Sequence, residues 1–414
     1  MRVALVAPFG LRPKGTTSAR VLPIGKVLAA QGADVRLIVP PWDDPSRAGD
    51  RWMEDGVEVV HTRLGPGPMT RIVVIWDMLR EIRTFQPDVV HAFKPIGYSG
   101  AIASRTAGGG ARRRPLVVVD ADDLEGPAGW AGRRGLGIGG RLRGAQERRT
   151  LRGAPCVTVA SAWLAEYVGG LGVPRERILR LPNGHGVVAS RESRVPSPGG
   201  RLDSEPRTRN AGRDSRPGTC DSRLVWYTRF TEASPDRAAR LLAPLLRAHQ
   251  ELGLTVLGDE LGAGDRGALE AALARESAGP RVRWLGYEHA IGDDYLVRSA
   301  PAAVAVYPMD DDVVNRARCP SKVPQLMAMG VPIVAEAVGE IPAYLAGFER
   351  ECLAEPGNEA GFRARVEALL GSRPKRVSLA KKLQRAADQW RWENVAAGLL
   401  EWYEQGLSSQ DRSA

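Results

Sequence analysis

Short apolar runs rich in valine, isoleucine and leucine alternate with amphipathic stretches along most of the chain. "RVALVAPFG" from Arg2, "DVRLIVP" from Asp34, "VEVVHT" from Val57, "DVVHAF" from Asp88 and "PLVVVDADD" from Pro115 each have the length of a strand. Between them lie segments such as "IVVIWDMLREIRTF", from Ile72, which read as helices. Continuous apolar runs too short for helices belong to strands buried on both faces, and the intervening helices supply the crossovers of a parallel sheet. "APCVTVAS", a helix through "AWLAEYVGGLG" and "ILRLPNG" carry the rhythm onward, so residues 1–188 are expected to form a doubly wound α/β domain.

The rhythm then breaks. Residues 189–222 contain almost no large apolar side chain and are dense in Arg, Ser, Pro and Gly. Such a segment cannot bury enough surface to offset the entropy of ordering it, and it is expected to be a flexible interdomain linker. "LVWYTRF" restarts the pattern, which continues through "LTVLG", "VRWLG", "AVAVYP" and "PIVAEA", giving a second α/β domain over residues 223–385. In the last segment, 386–414, Trp392, Val395, Ala396, Leu399 and Tyr403 recur at helical spacing. That stripe is expected to pack back toward the first domain. Ligands of open α/β folds bind beyond the carboxyl ends of the strands, so two such domains place a site in the cleft between them.

A length of 414 residues, 43% hydrophobic and 26% charged, fits two soluble domains. The net charge of +10, from 58 Lys and Arg against 48 Asp and Glu, favours acidic partners such as nucleotide phosphates or an anionic membrane surface. Much of the arginine is concentrated at 111–114, 132–149 and 191–223, so a nucleic-acid groove is not expected, although solvated faces would look the same. The four cysteines have no paired spacing for zinc or a disulfide framework, which fits a reducing compartment. The first apolar run reads as a strand rather than a secretory signal, and no run approaches the roughly 18 apolar residues of a membrane span. A cytoplasmic protein is expected, soluble or peripheral on the inner face of the plasma membrane.

Candidate chemistry falls where strands end. The first strand runs into "APFGLRPKGTTSAR", where Lys14, the open backbone at Gly15 and a helix start suit a diphosphate, without the spacing of a dinucleotide or ATP-hydrolysing loop. His91 ends a later strand and is followed by Lys94 and Tyr98; His91 reads equally as a satisfied edge histidine. Asp120, Asp122 and Asp123 crowd the end of "PLVVVDADD", a concentration of charge that either holds sugar hydroxyls or cations, or caps and faces solvent. No companion ligands argue for a metal. In the second half Arg229 ends a strand, and "RCPSKVPQ" opens a helix with Pro320, Ser321 and Lys322, a start suited to an anion if Ser321 is more than a cap.

Taken together these pieces resemble the retaining glycosyltransferases of the GT-B fold, in their bacterial group 1, family 4-like branch. The Lys14-Gly15 turn sits where that family has Gly-Gly, "LPNG" from Leu181 matches its Pro-Asn-Gly signature, and "MAMGVPIVAEAVGEIPAYL" is similar to its helix-strand core. The resemblance implies two Rossmann-like domains and transfer of a sugar from a nucleotide diphosphate donor to a lipid-linked, polysaccharide or natural-product acceptor, with no separate cofactor or metal. It implies that Arg229 and Lys322 hold the donor diphosphate with the amides around Gly15. Asp120, Asp122 and Asp123 would meet sugar hydroxyls, and Val338, Gly339 and Glu340 would border the nucleotide. Two acids expected eight positions apart fall on Ala317 and Gln325, and a lysine expected after Arg229 falls near Ser234. Gln325 would then meet the ribose without a charge, Asp310, Asp311, Asp312 and Asn315 are the candidate substitutes near the sugar, and "CPSK" resembles branches with a Pro-Ser-Lys pattern here. The acceptor is expected at His91, Lys94, Tyr98 and Trp130. The basic stretch after Trp130, with Arg133, Arg134, Arg141 and Arg143, would dock on anionic membrane or form a mobile acceptor loop. A sugar-nucleotide epimerase or a silent nucleotide-sugar-binding partner on the same fold are the alternatives.

Overall fold

A computed structural model describes residues 1–11, 15–107, 114–186, 223–258, 260, 264–278, 281–286, 296, 300 and 302–413. The expected linker at 189–222 and the candidate Lys14 lie outside the described residues.

The first sheet contains β1 (Arg2–Val6), β2 (Asp34–Val39), β3 (Arg51–Glu54), β4 (Val57–His61), β5 (Val89–Phe93), β6 (Leu116–Ala121), β7 (Cys156–Val159) and β8 (Ile178–Arg180). Their spatial order is 3-4-2-1-5-6-7-8, and only the edge strand β3 runs antiparallel to its neighbour. The second sheet contains β9 (Arg223–Tyr227), β10 (Gly253–Leu257), β11 (Val282–Leu285), β12 (Ala303–Tyr307), β13 (Ile333–Glu336) and β14 (Leu353–Ala354), in the order 11-10-9-12-13-14 and wholly parallel. The central strands are buried along nearly their whole length, which is why they read as unbroken apolar runs. In each sheet the strand order reverses beside the domain's first strand, between β1 and β5 and between β9 and β12. Crevices at those reversals carry the residues of interest.

One apolar cluster fills the second domain, and two lie on the opposite faces of the first sheet. After the second domain the chain returns to the first. Trp392, Ala396, Leu399 and Tyr403 are buried against Val3, Leu5, Leu116 and Cys156, and the helix Leu399–Ser413 covers that face. A Cβ on Gly406 would stand 2.7 Å from Leu116 Cδ2, so the absent side chain is what lets this helix lie close.

The "LPNG" signature sits where the domains meet. Asn183 Nδ2 donates to the Cys319 carbonyl at 2.5 Å, and the Tyr344 hydroxyl donates to the Asn183 carbonyl at 2.7 Å. Gly184 follows because a Cβ there would come within 2.9 Å of the Trp390 carbonyl. Two further bridges cross the cleft: Arg133 to Asp312 at 2.5 Å, and Glu340 to Arg180 at 2.8 Å and to the Ala162 amide.

Candidate active site

On the first domain's side of the cleft, the chain leaves β5 through Lys94, whose φ of 69° is a left-handed conformation rare outside glycine. This turns the ammonium into three carboxylates from the end of β6. Lys94 Nζ lies 2.8 Å from Asp122, 2.9 Å from Asp123 and 2.6 Å from Glu125. Those acids are spaced as a metal site would be, and the ammonium sits among them. Burial would neutralise both partners, and the mutual attraction opposes it differently for each. Asp123, facing Lys94 and Arg318, is held below the usual carboxylate range despite its burial, whereas burial pushes Asp122 up to about 7. Trp130 donates a hydrogen bond to Asp123, and its ring lies 5.4 Å from the Arg318 guanidinium of the other domain.

On the second domain's side the loop after β9 curls around an acid that the sequence did not single out. Phe230 has φ 59°, held by edge contact with Trp226 at 5.2 Å. The turn brings the amides of Arg229 and Thr231 and the Thr228 hydroxyl to one oxygen of Glu232, at 3.0–3.3 Å. The other oxygen receives Lys322 Nζ at 2.6 Å and lies 3.6 Å from Arg318. Burial alone would raise Glu232, but Lys322 and Arg318 outweigh it and hold the carboxyl far below its ordinary value. Arg229 is half-buried, and its guanidinium has no ion-pair partner among the described residues. Three cations thus converge at one end of the cleft, facing the Lys94 cluster at the other.

Several expected site residues hold the framework instead. Asp120 is fully buried and takes both oxygens to Arg20, at 2.9 and 2.6 Å, and to Thr158 at 2.7 Å, so it cannot meet a sugar. Arg20 reaches inward because a π-helical turn over Thr17–Val21 rotates it off the outer face, a local feature that periodicity does not reveal. His91 is the satisfied histidine: its ring nitrogens bond Tyr403 at 2.7 Å and Thr158 at 3.0 Å inside the core. Asn315 is also fully buried, donating to the Glu232 and Asp310 carbonyls at 3.0 and 2.9 Å. Val338 is core, and Gly339 is required because a Cβ at its φ of 58° would lie 2.7 Å from the Asn315 carbonyl. Glu340 bridges the domains through Arg180 and the Ala162 amide. Tyr98 packs into the helical layer behind the sheet.

Gly15, Pro320, Ser321 and Gln325 remain among the described candidates. Helical structure begins at Gly15, which has open space where a Cβ would be. Ser321 makes no side-chain cap, so the capping reading does not account for its hydroxyl. Buried Pro320 precedes it, and one turn on, Gln325 Oε1 is buried with no hydrogen-bond partner. Ser234, where a lysine was expected, caps the helix Pro235–Ala248.

Residues 15–184 match a family described as glycosyl transferase 4-like domain, and residues 222–372 match glycosyl transferases group 1. Together the two matches run through most of the chain. The chain belongs to the group 1 glycosyltransferases. Its fold is GT-B: a sucrose-phosphate synthase from Thermosynechococcus elongatus superimposes with a TM-score of 0.73 at 17% identity, covering 99% of this chain and 100% of that one. The Anabaena protein HepE in complex with UDP-glucose gives 0.65 at 14% identity over 98% and 99%. A GDP-mannose-dependent alpha-mannosyltransferase of Mycobacterium tuberculosis is 30% identical over 181 residues, which span 42% of this chain and 46% of that relative. In this group 1 glycosyltransferase, the positions Ala317 and Gln325 carry no acid; an acid at the cationic end of the cleft is Glu232, from the loop after β9.

Proposed function

We propose that the protein transfers a sugar from a nucleoside diphosphate donor to an acceptor hydroxyl with retention at the anomeric carbon. The observation that carries this is Arg229, which has no ion-pair partner among the described residues and acts on Lys322 beside Arg318, with Lys94, Asp122 and Asp123 on the first domain's side of the cleft. The cations would hold the diphosphate and stabilise the charge that appears on it as the bond to the sugar breaks. The acceptor oxygen then attacks the same face of an oxocarbenium-like sugar, and its proton passes to the departing phosphate oxygen. Asp122 and Asp123, ordered by Lys94, would meet sugar hydroxyls. No metal is invoked in this scheme, because Arg229, Arg318 and Lys322 would supply the positive charge that the diphosphate requires. The mannosyltransferase relative makes GDP-mannose the first donor to try, with UDP-glucose next.

The test is product formation from a panel of nucleotide sugars and a cell-extract acceptor pool, with EDTA present. Arg229→Ala combined with Lys322→Ala is expected to lower transfer at least 1,000-fold, on the order of 4 kcal/mol, with the fold intact by circular dichroism. Full activity in that double variant overturns the site.

A lipid-linked acceptor at an anionic membrane is the acceptor class that the surface favours. The helix Gly137–Gly153 exposes Ile138 and Leu142 among Arg141 and Arg143, and a groove of about 470 Å³ lined by Ala131, Leu136 and Ile138 opens next to Trp130. Apolar side chains ringed by arginine suit the boundary between headgroups and acyl chains. Arg133 is not part of that surface, since it bridges to Asp312 and the Thr231 carbonyl.

A further inference from the structure

Arg229, Arg318 and Lys322 put three positive charges at one end of the cleft, and Glu232 is the carboxylate set among them. It differs from a surface counter-ion in two ways. Its side chain is 1% exposed, and one of its oxygens is enclosed by the Arg229 and Thr231 amides and the Thr228 hydroxyl, an arrangement that depends on the left-handed Phe230. A non-glycine residue in that conformation is strained and persists only where surrounding packing enforces it, here the Trp226 contact. The loop is thus built to fix one carboxylate under two side-chain cations that come from a different part of the chain.

We infer that Glu232 is a positioning residue for the donor diphosphate: it fixes Lys322 and Arg318 as an ordered pair of cations and sets the net charge of the phosphate end. The inference rests on the nucleotide-sugar reading above. Glu232 offsets one of the three positive charges of Arg229, Arg318 and Lys322. A free lysine in the same place would have several rotamers and no reason to keep its proton. Burial pulls the Lys322 ammonium below the ordinary lysine value, and Arg318 and Arg229 push in the same direction; Glu232 is what opposes them. The other groups facing this corner are the Tyr227 ring, 5.0 Å from Lys322 Nζ, the Tyr307 hydroxyl, and Asp123 and Asp312, which lie toward Arg318. None of these carboxylates is paired to Lys322. A structural strut alone would not tie Glu232 to the protonation of Lys322.

The experiment is calorimetric binding of GDP and UDP from pH 6 to pH 10 to the wild type, Glu232→Gln, Glu232→Asp and Glu232→Gln with Lys322→Arg. In the wild type, affinity is expected to hold until Lys322 loses its proton. In Glu232→Gln that loss is expected to begin at least one pH unit lower, leaving affinity about tenfold weaker at the pH where the wild type is still flat. Glu232→Asp keeps the charge at a longer reach and is expected to give a smaller shift of the same sign, which also serves if the glutamine variant does not fold. Adding Lys322→Arg is expected to remove the shift, because a guanidinium stays protonated throughout this range. Wild-type binding with unmoved pH curves in both Glu232 variants, or a shift that survives Lys322→Arg, overturns the inference while leaving nucleotide binding in place. A wild type that binds neither GDP nor UDP overturns the nucleotide-sugar reading and this inference with it.

Discussion

At the scale of single residues, the cleft separates acids by environment rather than by type. Asp122 and Asp123 share one ammonium, yet burial carries Asp122 up to about 7 while Asp123 stays ionised. Asp122→Asn is therefore expected to remove an inflection near pH 7 from the pH profile of kcat/KM, and a profile identical to wild type would show that this group takes no part in turnover. His91 makes an opposite kind of prediction, about stability. Burial lowers its folded pKa to about 4, below the unfolded value of 6.5, so an unfolded chain takes up a proton that the folded chain refuses. The stability of the neutral imidazole is present above pH 6.5 and lost as pH falls toward 4, amounting to roughly 3 kcal/mol. The advantage of wild type over His91→Gln in urea unfolding should shrink by about that much across this window. The sequence placed the acids and Lys322 correctly at strand and helix ends. It missed Arg20, Arg318 and Glu232, because each depends on a local irregularity: a π-turn, a loop crossing toward Trp130, a left-handed phenylalanine. For Arg318 a signal was present, a second cation four residues ahead of Lys322.

At the scale of elements, strands and their order of appearance were legible because buried parallel strands write themselves as unbroken apolar runs. Helices were less so where their exposed face is also apolar. The helix Thr70–Phe85 read as a plain crossover helix, but Ile72 and Trp76 are 66% and 54% exposed beside Arg80. Its inner residues Val74 and Met78 share one cluster with Leu151 of the helix Gly137–Gly153, so both helices lie on the same face of the sheet. Their first turns follow strands β4 and β6, which puts Ile72, Trp76, Ile138 and Leu142 toward the rim that holds the site. Charge reversal at Arg134, Arg141 and Arg143 is expected to reduce binding to anionic vesicles by at least tenfold at low salt, with donor hydrolysis unchanged. Unchanged binding in a vesicle flotation assay would overturn this arginine surface as the docking site.

At the scale of the whole molecule, polar contacts join the two domains among the described residues, and Asn183 makes two of them. Asn183→Ala removes its bonds to the Cys319 carbonyl and to Arg20, and is expected to cost about 1–3 kcal/mol of coupling between domains. Broadening or splitting of the urea transition, by tryptophan fluorescence, is the measurement; a single sharp transition at the wild-type midpoint would contradict it. The division into two domains was readable from the composition break at 189–222, since nothing else in the chain is so poor in apolar residues. The interface was not, because it is made by short polar contacts between segments far apart in sequence.

The helix Leu399–Ser413 covers a face formed by Val3, Leu5, Leu116 and Cys156, yet it is synthesised only after the entire second domain. On the ribosome the first sheet therefore emerges with one flank bare and must wait for its cover. The first domain is assembled from two distant pieces of chain, with the second domain inserted between them. A nascent chain halted after β14 would present that flank to chaperones, and arrest-peptide force profiles should show the first domain completing its fold last, although it is made first.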